Sequence, residues 1–404
     1  MPAILSYHKK VSDYFRAQTK TWDFFAAAKT KEDQLKQYKT ELLKNTYKFD
    51  PSVDVGLYKK VAVAREKLGL QHLEVTLHQA QYTDELNASI IYLEKEAHIV
   101  FSGQLIQLLS DEEMQGVIAH ELAHIKLYTL QQGELEVTDR IITAIANNHG
   151  SEAAYFETAR IFRLYTEIFC DRGAYTVLGS TGPVITSLVK VATGLQHVNA
   201  ESYLKQADEI FSSDRDVKTS GISHPENFIR ARAIQLWLEK QEDAEKEITR
   251  MIEGVADLDQ LDIFMQREVA ELTKKFLQLY LKPKWFQSTL VISHAKQYFP
   301  DFSWDENAVI TNEFREKIEN SHPSIKDYLS YVLLDFALLD RGLEDVPTGW
   351  AFQIAEDLEL KPAFNSIVKK ELKFSDKKLQ QHKQKTLSAY YGVKEGEGEQ
   401  IYEG

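Results

Sequence analysis

The stretch from Gly116 to Tyr128, GVIAHELAHIKLY, places His120, Glu121 and His124 in the order His-Glu-x-x-His. Residues four apart lie one above the other on a helix face, so the two histidines can point at one cation. Glu121 is displaced around the helix, where its carboxylate can act on a water beside the metal instead of ligating the metal. A metal and a neighbouring carboxylate base together make a hydrolytic nucleophile at neutral pH. An ordinary core helix that carries two histidines is the alternative.

The residues around this motif predict a buried helix that starts near residue 110. Ser110 and Glu113 form the S-x-x-E pattern of a capping box just before the apolar run. Most other positions of the stretch are apolar, and Ala119 and Ala123 leave room for a close neighbour. The motif is therefore expected on a helix that is otherwise buried.

The segments on either side predict a mixture of short strands and helices. Three short, β-branched segments precede the motif and predict strands at residues 73–80, 88–94 and 97–103. A helix is predicted before them, and further helices follow the motif: residues 56–70, 136–148, 152–178 and 183–195, with another opening at His224-Pro225. From about residue 240 onward the chain predicts helices joined by short breaks.

The composition limits the classes of function. The chain has 404 residues, a formal net charge of −13 and one cysteine. Nucleic-acid binding needs a basic footprint, so no nucleic-acid partner is expected. The most apolar run, GPVITSLVKVATGL, is interrupted by Lys190, and the first twenty residues lack the apolar region of a secretory signal. We therefore expect a cytoplasmic protein that is not membrane-embedded.

A third metal ligand has to come from elsewhere in the chain. The long form of the motif fails, since Leu127 and Leu130 stand where Gly and His would be. The best candidate is Glu167, because Asp171 follows one helical turn later and could orient His120 from behind. A structural salt bridge is an equally good interpretation of that carboxylate pair. Four other carboxylates also compete, although they lack the aspartate one turn on: Glu134, Glu136, Glu152 and Glu157.

Three spaced motifs together resemble the HtpX and CAAX prenyl endopeptidase type of zinc metallopeptidase. The segment 87–125 resembles the family's two strands and active-site helix, with Asn87 and Ala88 at its characteristic N-A. EIFCDRGA, residues 167–174, matches the E-x-x-x-D-R-x-A pattern, and SHPENFIRARAIQLW, residues 223–237, resembles the H-P-x-x-x-x-R segment. In the same order as in the family, these motifs cover about residues 55–240.

The resemblance implies one zinc ion per chain, held by His120, His124 and Glu167. Asp171 would orient His120 without touching the metal. Cys170 lies three residues after Glu167, and a buried, inert thiol is the expected interpretation rather than a ligand or a redox switch.

The resemblance also implies the catalytic groups. Glu121 would take a proton from the attacking water and pass it to the leaving amine. His224 and Arg230 would stabilise the developing oxyanion. Taken alone, His224 before a proline is typical of a helix start, and Arg230 is typical of a solvated helix face.

The strand at Asn87, Ala88 and Ser89 resembles the family's substrate strand. A strand edge beside the active-site helix can bind an extended peptide through backbone hydrogen bonds. A plain structural strand is an equally good interpretation. A polypeptide is accordingly the expected substrate.

The implied fold is α+β and predominantly helical, a zincin-like core whose small, mainly antiparallel sheet packs on the active-site helix. The expected organisation is an N-terminal helical segment at 1–50, a zinc metallopeptidase domain at 51–240, a helical C-terminal domain at 241–395 and a disordered tail at 396–404. Residues 325–375 resemble a TerB-type helical module with an acidic bend, for which a solvated turn is the favoured alternative to a cation site: Asp340, Glu344 and Asp345.

Two functions are compatible with these motifs. The first is a zinc-dependent endopeptidase acting on unfolded or extended polypeptides. The second is a catalytically latent or inactive peptidase-like scaffold whose helical extension binds partners. In either case the helical N- and C-terminal regions are expected to contact a protein partner or to gate the site.

Overall fold

The computed structural model describes residues 3–27, 32–93, 96–148, 150–214 and 217–397. The chain folds as two compact units, Met1–Gly254 and Val255–Gly404. Residues 396 and 397 end the last helix, and the rest of the predicted disordered tail lies outside the described residues. Across the described ranges, no helix combines the length and the apolar character that crossing a membrane requires.

The first unit consists of helices around a small sheet. Its helices are α1 Ser6–Arg16, α2 Thr19–Ala27, α3 Glu32–Asn45, α4 Val55–Leu68, α5 Leu105–Leu108, α6 Asp111–Thr129, α7 Glu134–Ala146, α8 Ala153–Leu178, α9 Gly182–Thr193, α10 Ala200–Ser213, α11 Asn227–Lys240 and α12 Glu245–Ile252. Its strands are β1 Thr46–Lys48, β2 Glu74–Ala80, β3 Asn87–Leu93 and β4 Glu96–Ser102. The predicted α+β class with mainly helical content is confirmed.

The sheet has the order β1-β2-β4-β3. Strands β1 and β2 pair antiparallel, β2 and β4 pair parallel, and β3 and β4 pair antiparallel. Two of the three pairings are therefore antiparallel, and β3 lies at an edge of the sheet. Leu77, Ile99 and Phe101 share the face that is fully buried. Strand β3 contacts α6, the helix that carries the His-Glu-x-x-His motif.

One strand lies where only helix was predicted. Residues 1–50 were expected to be helical, yet Thr46, Tyr47 and Lys48 form β1 and pair with Ala80, Gln79 and His78. This three-residue strand follows α3 directly, and its partners lie 30 to 34 positions further along the chain. A charged helical run does not show such a partner, since pairing between strands is a tertiary interaction.

The start of α6 forms the capping box that the sequence predicts. Ser110 Oγ accepts from the Glu113 amide at 3.3 Å, and Glu113 Oε2 accepts from the Ser110 amide at 2.8 Å. Glu113 also accepts from Lys190 Nζ at 2.8 Å and from Thr186 Oγ1 at 2.7 Å. The buried Glu113 carboxylate thereby ties α9 to the first turn of α6.

The second unit is entirely helical within the described residues. Its α-helices are α13 Ile263–Tyr280, α14 Thr289–Tyr298, α15 Asn312–Glu319, α16 Pro323–Ala337, α17 Val346–Asp357, α18 Lys361–Glu371 and α19 Asp376–Glu397. Aromatic side chains fill its core, where Trp350 stacks near Tyr280 and donates from Nε1 to the Tyr280 carbonyl at 2.8 Å.

The acidic bend between α16 and α17 uses its carboxylates locally. Asp340 Oδ1 accepts from the Gly342 amide at 2.9 Å, and Asp345 pairs with Lys385 Nζ at 2.6 Å. These contacts fit the favoured alternative of an ordinary solvated turn.

Candidate metal centre

The two motif histidines face one carboxylate from a later helix. His120 and His124 lie on α6 with ring centroids 5.2 Å apart. His120 Nε2 is 3.4 Å from Glu167 Oε2, and His124 Nε2 is 3.6 Å from Glu167 Oε1. Glu167 lies on α8, and its side chain is only 7% exposed. The structure therefore brings together the three residues that the sequence named as ligands.

The chemistry of this donor set fits a divalent cation. Glu167 Oε2 is buried, and its nearest cationic groups, His120 Nε2 and Arg230 Nη2, each lie 3.4 Å away. A cation among these side chains would give the buried oxygen a closer partner. Zinc bonds of 2.0–2.2 Å at a tetrahedral angle separate the donor atoms by about 3.4 Å. His120 Nε2 lies 3.4 Å from one Glu167 oxygen and His124 Nε2 lies 3.6 Å from the other, so each imidazole has a carboxylate oxygen close to that separation.

Asp171 fixes the orientation of His120. Its Oδ1 lies 3.0 Å from His120 Nδ1, and an ionised carboxylate only accepts, so Nδ1 carries a proton and Nε2 is the nitrogen that can bind a cation once it has lost its own proton. Arg230 donates to Asp171 twice, from Nε to Oδ2 at 2.8 Å and from Nη2 to Oδ1 at 2.6 Å. The predicted orienting role of Asp171 agrees with this geometry, and the Arg230 contact was not predicted.

Burial and charge separate the pKa values of the two histidines. Burial lowers the pKa of His124 to about 4. Burial acts in the same direction on His120, but its hydrogen bonds to Asp171 and Glu167 outweigh burial and raise its pKa to about 10. The pKa of Glu167 is far below its ordinary value, because the His120 hydrogen bond and the charge of Arg230 overcome the effect of burial. A cation at this point would compete with the His120 proton, so metal binding here should release a proton.

Glu121 is suited to proton transfer. Its side chain lines the same cleft as His120 and Glu167. Burial raises the pKa of Glu121 to about 7. A carboxyl group with a pKa near neutral pH can both accept and return a proton under ordinary conditions.

A close helix crossing brings the ligands together. A Cβ on Gly173 of α8 would lie 2.4 Å from the Cβ of Ala123 on α6. Ala123 precedes His124, and Gly173 lies on the same helix as Glu167. The sequence marked Ala123 as leaving room, whereas its partner Gly173 was not singled out; a glycine inside a long apolar helix pattern was the available signal.

A cleft of about 240 Å³ opens beside these residues. It is lined from the metal side by His120, Glu121 and Glu167, and on the far side by residues of α9. Asn87 and Ala88 of the edge strand β3 also line it, whereas Ser89, the third residue of the predicted substrate strand, is exposed and lies outside the lining.

His224 and Arg230 reach the same region from α11 and the loop before it. His224 Nε2 lies 3.7 Å and Arg230 Nη2 lies 3.4 Å from Glu167 Oε2. The His224 side chain is 59% exposed, whereas that of Arg230 is 8% exposed. The loop of His224 is braced by Arg160 Nη1, which donates to the Gly221 carbonyl at 2.7 Å. Arg160 was not predicted from the sequence, since its partner is a backbone carbonyl 61 residues away.

Cys170 supplies a second possible soft donor. The ligating atoms of His120, His124 and Cys170 all lie within 4.8 Å of one another. Cys170 is fully buried, and burial raises the pKa of its thiol well above the ordinary value. Glu167 is ionised and contacts both imidazoles at 3.4 and 3.6 Å, whereas the Cys170 thiol keeps its proton, so Glu167 fits the third position better than Cys170 does.

The four competing carboxylates are engaged elsewhere or exposed. Three form ion pairs with arginines: Glu134 with Arg16 at 3.1 Å, Glu136 with Arg140 at 2.7 Å and Glu157 with Arg160 at 2.7 Å. Glu152 is exposed at the start of α8.

Comparison with known proteins agrees with this geometry. The model of peptidase family M48 matches residues 57–238. The plastoglobule-localized metallopeptidase 48, chloroplastic, of Arabidopsis thaliana is 32% identical over 160 residues, which cover 35% of this chain and 46% of that protein. The match thus spans about half the length of that relative. No solved structure matches the chain. The family resemblance predicted from the three motifs is confirmed, because residues 57–238 match the model of peptidase family M48.

Proposed function

We propose that this protein is a zinc-dependent endopeptidase that cleaves unfolded or extended polypeptides. The observation that carries the proposal is the buried Glu167 carboxylate, whose two oxygens lie 3.4 Å from His120 Nε2 and 3.6 Å from His124 Nε2 of a His-Glu-x-x-His helix. The similarity to metallopeptidases of family M48 supports it.

His120, His124 and Glu167 would hold the zinc ion. Bound there, zinc would polarise the substrate carbonyl and lower the pKa of a water molecule. Asp171 holds His120 in the tautomer that leaves Nε2 free to ligate, and Arg230 keeps Asp171 ionised by donating to both of its oxygens.

Glu121 would act as the general base and then the general acid. One of its carboxylate oxygens takes a proton from the attacking water and delivers it to the nitrogen of the leaving amine. Burial in the cleft raises the pKa of Glu121 to about 7, which suits both steps near neutral pH.

His224 and Arg230 would stabilise the charge that develops on the carbonyl oxygen. Both side chains line the cleft beside Glu167. Arg230 has a fixed position because it is buried and bound to Asp171, whereas His224 is exposed and can approach a substrate from the mouth of the cleft.

The edge strand β3 would align the substrate. Its outer edge pairs with no strand among the described residues, and Asn87 and Ala88 lie at the cleft. An extended peptide can therefore add to this edge through backbone hydrogen bonds, with Ser89 continuing the strand away from the cleft. Because backbone pairing does not require a chain end, this mode suits an endopeptidase.

Substitution of Glu121 tests the proposal. Wild-type protein loaded with zinc should cleave a chemically unfolded protein, and a chelator should stop cleavage. Glu121→Gln should keep its zinc and lose the cleavage, whereas Glu112→Gln, at an exposed position of the same helix, should retain both. Cleavage that persists in Glu121→Gln would rule out Glu121 as the base. Stoichiometric zinc in the wild type without cleavage of any unfolded substrate would favour the latent scaffold.

Location, domain limits and partners stay predictions. The cytoplasmic location was read from the sequence, whereas the Arabidopsis relative is named for the chloroplast plastoglobule. The peptidase domain proposed at 51–240 includes the matched residues 57–238. We retain the proposal that the helical N- and C-terminal regions contact a protein partner or gate the site.

A further inference from the structure

The segment 219–226, which carries His224, forms a tight turn directly before α11. Gly221 decides its shape, because a Cβ at this position would collide with the His224 carbonyl oxygen. Ser220 closes the turn, since its amide and its hydroxyl donate to Glu226 Oε1 at 3.0 and 2.7 Å. The turn therefore has a compact shape of its own, and its place beside the cleft depends on the contacts that tie it to the helices.

The position of the His224 ring follows from the position of this turn. The side chain is 59% exposed, so no core packs it in place. Ser223 Oγ lies 2.9 Å from His224 Nδ1, but Ser223 is exposed and belongs to the same turn. Loops are more mobile than the elements that they connect. A contact that fixes the turn therefore also fixes the ring.

Arg160 of α8 ties the turn to the metal centre. Its Nη1 donates to the Gly221 carbonyl at 2.7 Å. Arg160 and Glu167 are seven residues apart on α8, so they lie on the same side of that helix, two turns from each other. The Thr219 amide adds a tie at the start of the turn, where it donates to the Met251 carbonyl at 2.8 Å. Through Arg160, the turn is held by the same helix that carries Glu167.

Glu157 holds Arg160 in the orientation that this contact requires. Its carboxylate accepts from Arg160 Nε and Nη2, each at 2.7 Å. The two side chains are 14% and 16% exposed. A bidentate pair of this kind fixes the plane of the guanidinium group and leaves Nη1 for the Gly221 carbonyl. Glu157, which the sequence offers as a competing metal ligand, thus serves Arg160 instead.

We propose that Arg160 is a positioning residue of the peptidase: by binding the Gly221 carbonyl, it holds the His224 ring where it can stabilise the charge on the substrate carbonyl oxygen. This inference rests on the proposed function of the metal centre and of His224. Such a donor has to be in place before the reaction, because a displacement of about 1 Å can cost about 100-fold in rate. A purely structural ion pair between Glu157 and Arg160 is the alternative, and it predicts no effect through His224.

The first experiment removes the guanidinium group in the zinc-loaded full chain. With a fluorogenic peptide that the wild type cleaves, Arg160→Gln should lower kcat about tenfold and leave KM unchanged, because only an interaction of the transition state is weakened. The matched control is Arg163→Gln, which loses the same charge at an exposed position of α8 and should keep the wild-type kcat. A raised KM at unchanged kcat, or an equal kcat in the two variants, would overturn the proposal.

The second experiment asks whether Arg160 acts through His224. His224→Ala should lower kcat about 100-fold, as expected for the loss of one donor to the developing charge. Adding Arg160→Gln to His224→Ala should lower kcat no further, because the side chain that Arg160 positions is already gone. A tenfold loss that persists in the His224→Ala background would mean that Arg160 acts on another group, and the proposal would fail.

Hydrogen exchange of the zinc-free protein tests the turn without catalysis. In peptides that cover residues 219–226, Arg160→Gln should exchange about tenfold faster than the wild type, while peptides of α6 keep their rates. Gly221→Ala should loosen the same peptides, because its Cβ has to displace the His224 carbonyl. Gly56→Ala, whose Cβ would meet no atom within 4 Å, should not. Unchanged exchange of residues 219–226 in Arg160→Gln would overturn the proposal.

These measurements separate the inference from the proposed function. If the wild type cleaves no peptide in a zinc-dependent manner, the proposed function fails and the positioning role fails with it. If cleavage is zinc-dependent but Arg160→Gln is as active as Arg163→Gln, only the positioning role fails. The zinc affinity of Arg160→Gln should equal that of the wild type, and a lower affinity would mean that Arg160 acts on the metal centre rather than on His224.

Discussion

The crossing of α6 and α8 at Gly173 decides whether the metal ligands can meet, and Gly173→Ala perturbs it directly. The added Cβ would lie 2.4 Å from the Cβ of Ala123, whereas carbon atoms pack at about 3.5–4.0 Å. Neither atom belongs to a flexible side chain. The two helices must therefore separate by about 1 Å at this point.

The expected magnitude follows from two opposing effects. Replacing glycine by alanine inside a helix stabilises it by about 1 kcal/mol, but overpacking a close-packed core costs about 1–3 kcal/mol. We therefore expect a net loss of up to about 2 kcal/mol in the free energy of unfolding. Metal sites tolerate shifts of about 0.2 Å, so a separation of His124 from Glu167 by a larger amount should weaken zinc binding at least about tenfold.

Hydrogen exchange of α6 and α8 peptides measures the local stability, and competition with a chromophoric chelator measures zinc affinity. The matched control is the swapped pair Ala123→Gly with Gly173→Ala, in which the new Cβ would meet the Cα of residue 123 at 3.8 Å, an ordinary contact. The helix propensities of the swap cancel, so both properties should return close to wild type. A more stable Gly173→Ala with unchanged zinc affinity, or a swap no better than the single variant, would refute the reasoning.

Three further outcomes are expected. Asp171→Asn should weaken zinc binding about 10–100-fold in a chelator competition, because the amide carries no negative charge and can turn its NH2 group toward His120 Nδ1, which favours the wrong tautomer; unchanged affinity would contradict this. Burial lowers the pKa of His8 from 6.5 to about 3. Below pH 6.5, His8 is therefore protonated in the unfolded chain but stays neutral in the folded chain. Because of this residue, the free energy of unfolding should fall by about 2 kcal/mol between pH 7 and pH 5. The denaturation midpoint of His8→Gln should fall by correspondingly less over the same pH range. Cobalt-substituted protein should show the same absorption spectrum in Cys170→Ser as in the wild type; loss of a thiolate charge-transfer band would make Cys170 a ligand.

Local patterns predicted the parts of the fold that depend on neighbours in the chain. The capping box at Ser110 and Glu113 lies three residues apart and forms as expected. The three predicted strands are found within one residue of their expected limits. Helix α10 was not predicted, although Asn199 caps its start; only Ala207 of its fourteen residues is buried.

Contacts between distant segments were harder to predict. The family motifs led to Glu167 and Asp171, which do lie beside His120. The bond between Arg230 and Asp171 joins residues 59 positions apart, and no local period signals it. Gly173 stands out as a glycine inside an apolar helix pattern, but the sequence does not show how closely a second helix approaches it.

The proposed zinc peptidase site depends most on Glu167 acting as the third metal ligand. The direct measurement is the zinc content and zinc affinity of purified wild type, Glu167→Ala and Glu121→Gln, determined on the full chain. We expect one zinc ion per chain in the wild type and in Glu121→Gln, and a large loss of zinc affinity in Glu167→Ala. An unchanged zinc affinity in Glu167→Ala would contradict this assignment and would mean that another residue is the third ligand.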